Sequence, residues 1–412
     1  MNHPVASDKA YRDFCMGTAG LGRFAVYDRL RSEDPVHWSE ILNSWVLTRY
    51  DDVNESFLDE RLSANRVAVM LSQLPDDLRS RVQPLEKHFS LWPGMKDGSE
   101  HRRLREKISA PFMAKETNRM EAKIQSIVDE LLDAVESRGR MDLIGDFAFK
   151  LTATVICDML GIPRADQSRF RRQSEDIMKF LGGSPATMAQ TIKKSQTSLM
   201  ELVAYFRGLV EERKRSPKND LISQFIALEE TGKGFAEDEL VAMCIFLFFA
   251  GHETTMNLVG NGFLALFQNP HVMEQVQQDP LLIESAIEEF LRYYSSLQRQ
   301  VRRATGDFDI RGKKIHKDDG VMLMQGAANR DPEVFPDPNR LDITREPNRH
   351  LAFSVGPHFC LGAPLSRLEA RVAFSTVLDR FPGIRLECAV EKIEWHPTMT
   401  FLAMKSMPVT LR

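Results

Sequence analysis

The hydrophobic positions of this chain recur with two periods, and the helical period predominates. Short stretches of β-branched and aromatic residues at 36–38 and 44–48 predict a small sheet in the first third of the chain. From 118 to 212 the apolar spacing is close to that of an α-helix, and breaks that contain glycine divide this stretch into about four amphipathic helices. The pattern therefore predicts a mainly α fold with small β-sheets.

A longer apolar stretch predicts one unusually long helix. Ala236 to Phe267 forms a single helical pattern of about 30 residues, which at 1.5 Å per residue corresponds to roughly 45 to 50 Å. Its longest apolar run, Val241 to Gly251, is well short of the roughly 18 residues typical of a membrane span, so we expect a buried helix. Further helices are predicted at Leu282 to Tyr294 and from about Cys360 to Phe381.

The pattern offers no place to divide the chain into domains. Its 412 residues are compatible either with two domains or with one large fold around a bulky internal group. The sequence has no internal repeat, low-complexity tract or Gly/Ser-rich linker. We therefore expect one compact unit over 1–412, with a loosely ordered N-terminal segment at 1–23.

Composition and charge exclude several classes of protein. Hydrophobic residues make up 43% and charged residues 27%, which is a globular composition. The net charge of -4 provides no basic field, so we expect no nucleic-acid partner. The five cysteines are scattered without a CxxC pair, which favours a reducing, cytoplasmic setting. The charged N-terminus lacks an apolar signal core, so we expect no export signal or membrane anchor.

The strongest candidate for chemistry is a cysteine loop that precedes the last predicted helix. In the stretch 353–362, Cys360 lies between Gly356 and Gly362. Glycine allows the backbone to approach a flat ligand, and a helix N-terminus directs N–H groups at an anion, which suits a thiolate. A single cysteine is, however, more often a small buried hydrophobe, so the cysteine alone leaves both interpretations open.

The spacing of this loop resembles the haem-binding loop of the cytochrome P-450 family. The family pattern FxxGxxxCxG is matched completely, by Phe353, Gly356, Cys360 and Gly362. Many bacterial members have a second glycine where this chain has Ser354, so we expect the local turn to differ slightly. The resemblance implies a single fold closed around one haem b (heme b, iron protoporphyrin IX), with Cys360 as the axial ligand of the iron. A thiolate ligand favours O–O cleavage, and the N–H groups after it are expected to tune the sulfur.

A second motif lies in the middle of the longest predicted helix. Thr254 can bond back to the carbonyl of Ala250 as any mid-helix threonine does, and Gly251 can be a packing choice. The segment nevertheless resembles the family's oxygen-activation motif, AGxET or AGxDT. The resemblance implies that Ala250 and Gly251 leave a groove at the haem and that Glu253 and Thr254 are the catalytic acid and alcohol. Such a pair can relay protons, and it differs from the Arg-Pro pair of the family's peroxide-dependent branch.

Charged residues elsewhere match family positions that hold the cysteine loop. Glu289 and Arg292 fit the family's ExxR motif, which by itself is a common pattern on solvated helices. The resemblance makes these two residues, together with Arg340, a buried triad that holds the loop of Cys360.

Four basic residues match family positions that bind the two haem propionates. They are His101, Arg105, Arg302 and His358. Charge-assisted bonds to carboxylates suit this role, although each residue taken alone resembles solvated surface charge. Arg303 is the alternative to its neighbour Arg302.

The resemblance extends from about Phe24 to Arg412 and implies a monooxygenase. The expected reaction inserts one oxygen atom into a mostly apolar organic small molecule, as in secondary metabolism. The chain carries no flavin or nicotinamide motif, so a separate ferredoxin and its NAD(P)H-dependent reductase are the expected partners. Arg102 and Arg103 are candidates for steering an acidic ferredoxin towards the face nearest Cys360.

Two alternatives remain open at this point. Within the same fold, nitration, ring closure or aryl coupling would use the same motifs. A non-enzymatic haem-binding sensor belongs to another class, and the proton relay argues against it because a sensor does not need one. The substrate itself is not specified. By position in the family's fold, the candidate pocket walls are 88–92, 178–188, Phe246, Phe249, 297–298 and 399–402.

Overall fold

Helices make up most of the structure, which confirms the mainly α fold with small sheets. The computed structural model describes residues 8–67, 76–167, 170–183, 185–232 and 234–412. The α-helices are α1 (Lys9–Cys15), α2 (Arg23–Glu33), α3 (Tyr50–Leu58), α4 (Asp76–Phe89), α5 (Gly98–Ser109), α6 (Ala114–Asn118), α7 (Glu121–Glu136), α8 (Phe149–Leu160), α9 (Arg164–Gln167), α10 (Phe170–Gly182), α11 (Pro185–Arg215), α12 (Leu221–Ala227), α13 (Glu237–Gln268), α14 (Pro270–Gln278), α15 (Ile283–Tyr293), α16 (Gln325–Ala328) and α17 (Ala363–Arg380).

The strands form small sheets at the margins of the helical body. They are β1 (Val36–Ser39), β2 (Ser44–Leu47), β3 (Leu62–Ser63), β4 (Arg140–Asp142), β5 (Gln300–Ala304), β6 (Phe308–Ile310), β7 (Lys313–Ile315), β8 (Gly320–Leu323), β9 (Arg385–Leu386) and β10 (Pro408–Thr410). The largest sheet has the order β1-β2-β8-β5-β3, in which β2 and β8 are parallel and the other pairs antiparallel. Strands β1 and β2 lie at the two stretches where the sequence predicts a sheet.

The long helix α13 runs through the core of the protein. It begins and ends within one residue of the predicted bounds, and it packs on α8, α15 and α17. In its first turn Glu239 accepts a hydrogen bond of 3.1 Å from the N–H of Ala236, which caps the helix. Among the described residues α13 is the helix long and apolar enough to cross a bilayer, but 72% of its apolar window is buried inside the protein. A core helix passes the same test of length and composition.

The last long helix, α17, begins later than predicted. It starts at Ala363, and Pro364 lies in its first turn. Backbone N–H groups in the first turn have no partner within the helix, so the N–H that proline lacks costs no hydrogen bond. Cys360 therefore lies in the loop before the helix rather than at its first residue. This placement leaves the N–H groups at the start of the helix free to point back at the cysteine.

The described part of the N-terminal segment is packed into the body of the protein. In α1 the side chains of Tyr11, Phe14 and Cys15 are buried. Arg23 is also buried, and its guanidinium donates to the carbonyl oxygens of Gly20, Phe401 and Thr398. Residues 8–23 thus contribute several side chains to the core, whereas 1–7 lie outside the described residues.

Candidate active site

The cysteine loop and the middle of α13 line one cavity. The cavity has two adjoining parts, of about 300 Å³ and about 190 Å³. Both parts are lined by Ala250 and Thr254 from α13 and by Phe353, His358 and Cys360 from the loop. Two motifs that are far apart in the sequence are therefore walls of the same space.

Two residues with left-handed backbone shape the cysteine loop. Gly356 has a φ of 71°, a left-handed conformation that favours glycine, and a Cβ at this position would also displace the side chain of Leu58, 2.5 Å away. Ser354 has a φ of 62°, which costs a non-glycine residue about 1 to 2 kcal/mol. The N–H of Cys360 donates to the carbonyl oxygen of Phe353 over 2.9 Å and closes the loop. Ser354 thus adopts a conformation that glycine favours.

The surroundings of the Cys360 sulfur combine burial with positive charge. Burial raises the pKa of Cys360, whereas hydrogen bonds from the N–H groups of Gly362 and Ala363 and the charges of Arg105 and Arg367 act to lower it. These donors and cations stabilise a thiolate, which is the form that binds a metal. The net effect is still a raised pKa for Cys360; the buried thiols of Cys157 and Cys244 differ in that no nearby cation among the described residues acts to lower theirs.

Thr254 and Gly251 of α13 make contacts that are ordinary for mid-helix residues. Both residues also line the cavity. The hydroxyl of Thr254 donates to the carbonyl oxygen of Ala250 over 2.9 Å. A Cβ on Gly251 would lie 2.9 Å from the side chain of Ile156, so glycine permits the close contact between α13 and α8. Gly251 also lines the smaller part of the cavity. The structural and functional interpretations are therefore compatible.

Glu253 lies away from the cavity wall and towards α10. Its side chain is buried, and its carboxylate lies 3.7 Å from Nε2 of His252. Burial is the main cause that raises the pKa of Glu253 to about 7; the charge of Glu175 acts in the same direction, whereas a hydrogen bond with Asn257 and the charge of Arg171 act to lower it. Both of these charged residues belong to α10. Glu253 is thus placed between the helix that lines the cavity and a helix that carries exposed charges.

His252 is held as a neutral ring between two partners. Burial lowers its pKa to about 4. Its Nδ1 lies 2.6 Å from the carbonyl oxygen of Phe248, which can only accept, so Nδ1 carries the proton. Nε2 then accepts from the hydroxyl of Ser174 at 2.8 Å. A neutral His252 does not offset the charge of Glu253.

Basic side chains cluster at one end of the cavity. The rings of His101 and His358 lie 4.1 Å apart, and both residues line the smaller part of the cavity together with Arg105. Burial and the charges of His358 and Arg105 lower the pKa of His101 to about 4. Nε2 of His358 lies 3.8 Å from the carboxylate of Asp97.

Arg302 of β5 is near enough to this cluster for Asp97 to act on its charge, although it is not among the described residues that line either part of the cavity. It is buried, and its Nη1 donates to the side chain of Gln300 at 3.2 Å. Burial lowers the pKa of Arg302 to about 9, while the charge of Asp97 raises it. Its Nη2 is buried and has no partner among the described residues. Arg303 instead forms an ion pair of 2.7 Å with Asp318, so its charge has a counter-ion, although its Nε also has no partner among the described residues.

These residues fit haem b. Burial acts to raise the pKa of Asp97, but hydrogen bonds from His358, Ser63 and the N–H of Ala64 hold it well below its usual value. The carboxylate of Asp97 is thus already hydrogen-bonded to these partners. In contrast, Nη2 of Arg302 has no partner among the described residues, and Arg105 lies at the cavity. Two propionate carboxylates would supply the missing anions, and a thiolate donor lies at the same cavity.

The ExxR pair is buried, but its third member is Arg345 and not Arg340. Nε of Arg345 lies 3.4 Å from the carboxylate of Glu289, and its side chain is 8% exposed. Arg340 is exposed, and it contributes its backbone carbonyl, which accepts from Arg292 over 3.2 Å. The prediction of Arg340 is wrong because both arginines lie in an irregular loop, where sequence spacing does not determine which side chain folds back.

Two further polar residues at the cavity carried no signal in the sequence. Glu369 of α17 is buried at the smaller part, its Oε2 has no partner among the described residues, and burial raises its pKa well above the usual value. Arg299 is buried at the larger part. Charged residues occur throughout such segments, so their burial could not be recognised from the sequence.

Several of the predicted pocket walls line the larger part of the cavity. They are Trp92, Leu181, Gly183, Phe246, Phe249, Leu297, Thr400 and Phe401. Gln298 differs, because its amide oxygen accepts from the hydroxyl of Tyr27 and its NH₂ group donates to the carbonyl oxygen of Ser295, which makes it a structural residue. The side chains of 184–188, which belong to the predicted wall at 178–188, lie outside the described residues.

The two arginines proposed to steer a ferredoxin differ in their surroundings. Arg102 is exposed on α5. Arg103 is already bound to two carboxylates, at 2.5 Å to Glu239 and 2.9 Å to Glu100. The charge of Arg103 is therefore largely neutralised within the protein.

Comparison with known proteins agrees with the class that the fold and site define, a mainly α protein with a cysteine loop at a haem-sized cavity. The sequence matches the Cytochrome P450 family over residues 84–394. It is 34% identical over 401 residues to the polyketide biosynthesis cytochrome P450 PksS of Bacillus subtilis strain 168, covering 94% of this chain and 95% of that protein. The chain belongs to the cytochrome P450 family, whose members bind haem b, and it is an oxidoreductase of the monooxygenase type.

Solved structures show the same similarity over nearly the whole chain. The structure of myxobacterial CYP267B1 in complex with myristic acid has a TM-score of 0.88 and 36% identity, covering 98% of this chain and 99% of that one. The structure of P450BioI in complex with a hexadec-9Z-enoic acid ligated acyl carrier protein has a TM-score of 0.86 and 33% identity, covering 95% and 98%.

Proposed function

We propose that this cytochrome P450 inserts one atom of dioxygen into a mostly apolar organic small molecule, with its haem iron held by Cys360. The observation that carries the proposal is the shared cavity, which is lined by Cys360 from the loop and by Thr254 from α13. The larger part of this cavity is lined mainly by apolar side chains, such as Trp92 and Phe246. An apolar substrate bound there lies next to both motifs.

The cofactor is held by three groups of residues. His101, Arg105, Arg302 and His358 bind the propionates through charge-assisted hydrogen bonds. Phe353, Gly356 and Gly362 shape the loop that presents the Cys360 thiolate, and Ala250 and Gly251 keep side-chain bulk away from the opposite wall. When bound, haem b supplies the one-electron and dioxygen chemistry that amino-acid side chains lack.

Protons reach the cavity through Thr254 and Glu253. The Thr254 hydroxyl is at the cavity wall, where it donates to the carbonyl of Ala250 until a better acceptor binds. A carboxyl group whose pKa is near 7 exchanges protons readily at neutral pH, and Glu253 has this property. Glu253 takes protons from the side of α10 and passes them on to Thr254.

Electrons come from a ferredoxin and its NAD(P)H-dependent reductase in the cytoplasm. Docking of an acidic ferredoxin depends on exposed basic residues near Cys360, of which Arg102 is the better candidate because Arg103 is already paired. The names of the relatives favour a substrate from secondary metabolism, such as a polyketide or an acyl chain.

The reduced carbon monoxide complex of the holoenzyme tests the assignment of Cys360. Thiolate ligation predicts the red-shifted Soret band typical of this family, and Cys360→Ser should abolish it. Cys388→Ser is a matched control, since Cys388 is a free, partly exposed cysteine. If the Cys360→Ser protein keeps the band, the proposed ligand is wrong.

Turnover separates the proposed reaction from its alternatives. With isotopically labelled dioxygen, ferredoxin and reductase, a monooxygenase places one labelled atom in the product and the other in water. Ring closure or aryl coupling gives a product without label, and nitration requires an added nitrogen oxide. A haem-binding sensor gives no product at all.

A further inference from the structure

Arg299 is a buried cation on the wall of the larger part of the cavity. It precedes β5, and 5% of its surface is exposed. Nη2 donates to the carbonyl oxygen of Gly183 over 3.0 Å, and Nη1 lies 3.1 Å from the thioether sulfur of Met322. Nε is buried and has no partner among the described residues. Every partner of the guanidinium is therefore neutral.

The charges around Arg299 make its burial more costly. Burial is the main cause that lowers its pKa to about 10; the cations Arg66 and Arg23 act in the same direction, whereas Tyr27 and Cys15 act to raise it. At neutral pH the guanidinium nevertheless remains protonated. A buried charge is normally paired with an opposite charge, since its transfer out of water costs several kcal/mol. Arg299 has no such counter-charge within the part of the chain that the structure describes.

The lining of the larger part of the cavity contains a second cation. Arg66 lines the same wall as Arg299, and its Nη1 donates to the carbonyl oxygen of Gly94 over 3.0 Å. No Asp or Glu is among the described residues that line this part, and most of the other side chains are apolar. The described side chains of this wall thus include two guanidinium groups and no carboxylate.

Arg299 is distinct from the arginine that faces the propionates. The side chain of Arg302 lies over the ring of Phe57 and is influenced by Asp97, which belongs to the basic cluster. Arg299 contacts Gly183, which follows α10, and Met322 in β8. The two arginines are therefore available for two different anions.

We propose that Arg299 binds a carboxylate of the substrate, so that this enzyme takes an apolar monocarboxylic acid as the free acid. The inference rests on the proposed function and names its substrate class. Nε and one Nη of a guanidinium can bind the two oxygens of a carboxylate side by side. Because Thr254 and Cys360 line the same part of the cavity, the apolar body of the acid extends towards them. Oxidation then occurs on the chain, away from the carboxyl group.

Binding titrations of the holoenzyme test this inference. Decanoic, dodecanoic and tetradecanoic acids are each compared with their methyl esters at neutral pH, by the haem spin-state change and by equilibrium dialysis. We expect at least one acid to bind about tenfold more tightly than its ester, as for one charge-assisted hydrogen bond. Arg299→Gln, which can still donate to Gly183, should reduce this ratio to near one.

Two further variants separate binding from folding. Arg299→Lys retains the charge and should keep part of the preference for the acid. Arg303→Gln removes a partly buried arginine from β5, the strand that Arg299 precedes, where Arg303 pairs with Asp318, and should leave the preference unchanged. A purely structural role for Arg299 would lower the stability of the Gln variant to urea without changing the ratio of acid to ester.

The outcomes of this test are distinguishable from those of the proposed function. If the wild-type holoenzyme shows the red-shifted carbon monoxide band but binds no acid more tightly than its ester, the inference about Arg299 is wrong and the proposed function stands. An acid preference that survives in Arg299→Gln also overturns the inference. Loss of the red-shifted band in the wild-type protein would instead contradict the proposed function.

Discussion

Arg292 donates two hydrogen bonds of 2.7 Å to the two carboxylate oxygens of Glu289, and both side chains are completely buried. Arg292 also donates to the carbonyl oxygens of Asn329 and Pro338, each at 2.9 Å. Glu289 in turn accepts from the N–H of Asp342 at 2.8 Å. The ion pair therefore binds the irregular segment that leads to the cysteine loop. Arg292 binds carbonyl oxygens of this segment, and Glu289 binds one of its N–H groups.

We predict that Glu289→Gln destabilises the protein by about 3 to 5 kcal/mol, because it leaves the guanidinium of Arg292 buried without a counter-charge. The measurement is the urea midpoint of the holoenzyme, together with the haem content after purification. Glu284→Gln is the matched control, since Glu284 is exposed on the same helix. A midpoint for Glu289→Gln equal to that of the control would show that the pair does not hold the segment.

Arg105→Ala should weaken haem retention. The loss of one charge-assisted hydrogen bond to a propionate costs roughly 1.5 to 3 kcal/mol, which corresponds to a rate of haem transfer to apomyoglobin about ten- to a hundredfold higher. Arg102→Ala, an exposed neighbour on α5, should release haem at the wild-type rate. Equal rates for both variants would remove Arg105 from the set that holds the propionates.

Thr254→Ala should divert electrons from product into peroxide or water, while haem content and substrate binding remain nearly unchanged. Loss of a positioned proton donor typically lowers a rate by about a hundredfold or more. The measurement is the ratio of product formed to NAD(P)H consumed. Thr254→Ser keeps the hydroxyl and should keep most of the coupling. Unchanged coupling in Thr254→Ala would point to another hydroxyl, such as that of Thr255.

The stability of the protein should depend on pH through Glu253. Its folded pKa of about 7 is above the ordinary value of 4.5, so the proton is bound more tightly in the folded state. This contribution is fully present below about pH 4.5 and is lost as the pH rises through about 7. Glutamine has no proton to lose in this pH range, so Glu253→Gln avoids this loss of stability. At pH 8 the variant should therefore have a free energy of unfolding higher than that of wild type, by at most about 3 kcal/mol.

Urea midpoints of both proteins measured from about pH 5 to about pH 8 check this prediction. The difference between the two curves should increase most steeply between about pH 5 and 7 and level off above about pH 7. Parallel curves would mean that Glu253 titrates in the folded protein as it does in the unfolded chain.

The local motifs could be predicted because their chemistry depends on short spacing. The pattern around Cys360 and the apolar run of α13 place a thiol before a helix and a small-residue pair in the middle of one. The family resemblance then related these two segments to one site. The assignment of Arg340 was wrong because an arginine in an irregular loop is placed by its partner, and the partner Glu289 lies on another element.

The sequence by itself determined the helical architecture, the long buried helix and the two motifs at the cavity, because hydrophobic period and glycine positions act over a few residues. Tertiary structure decided which charges are buried and which are paired. Glu253 lies beside His252 and α10, and Arg299 lies at the cavity with no counter-ion among the residues that the structure describes. Desolvation and pairing depend on groups that are distant in sequence, so these properties exist only once the chain has folded.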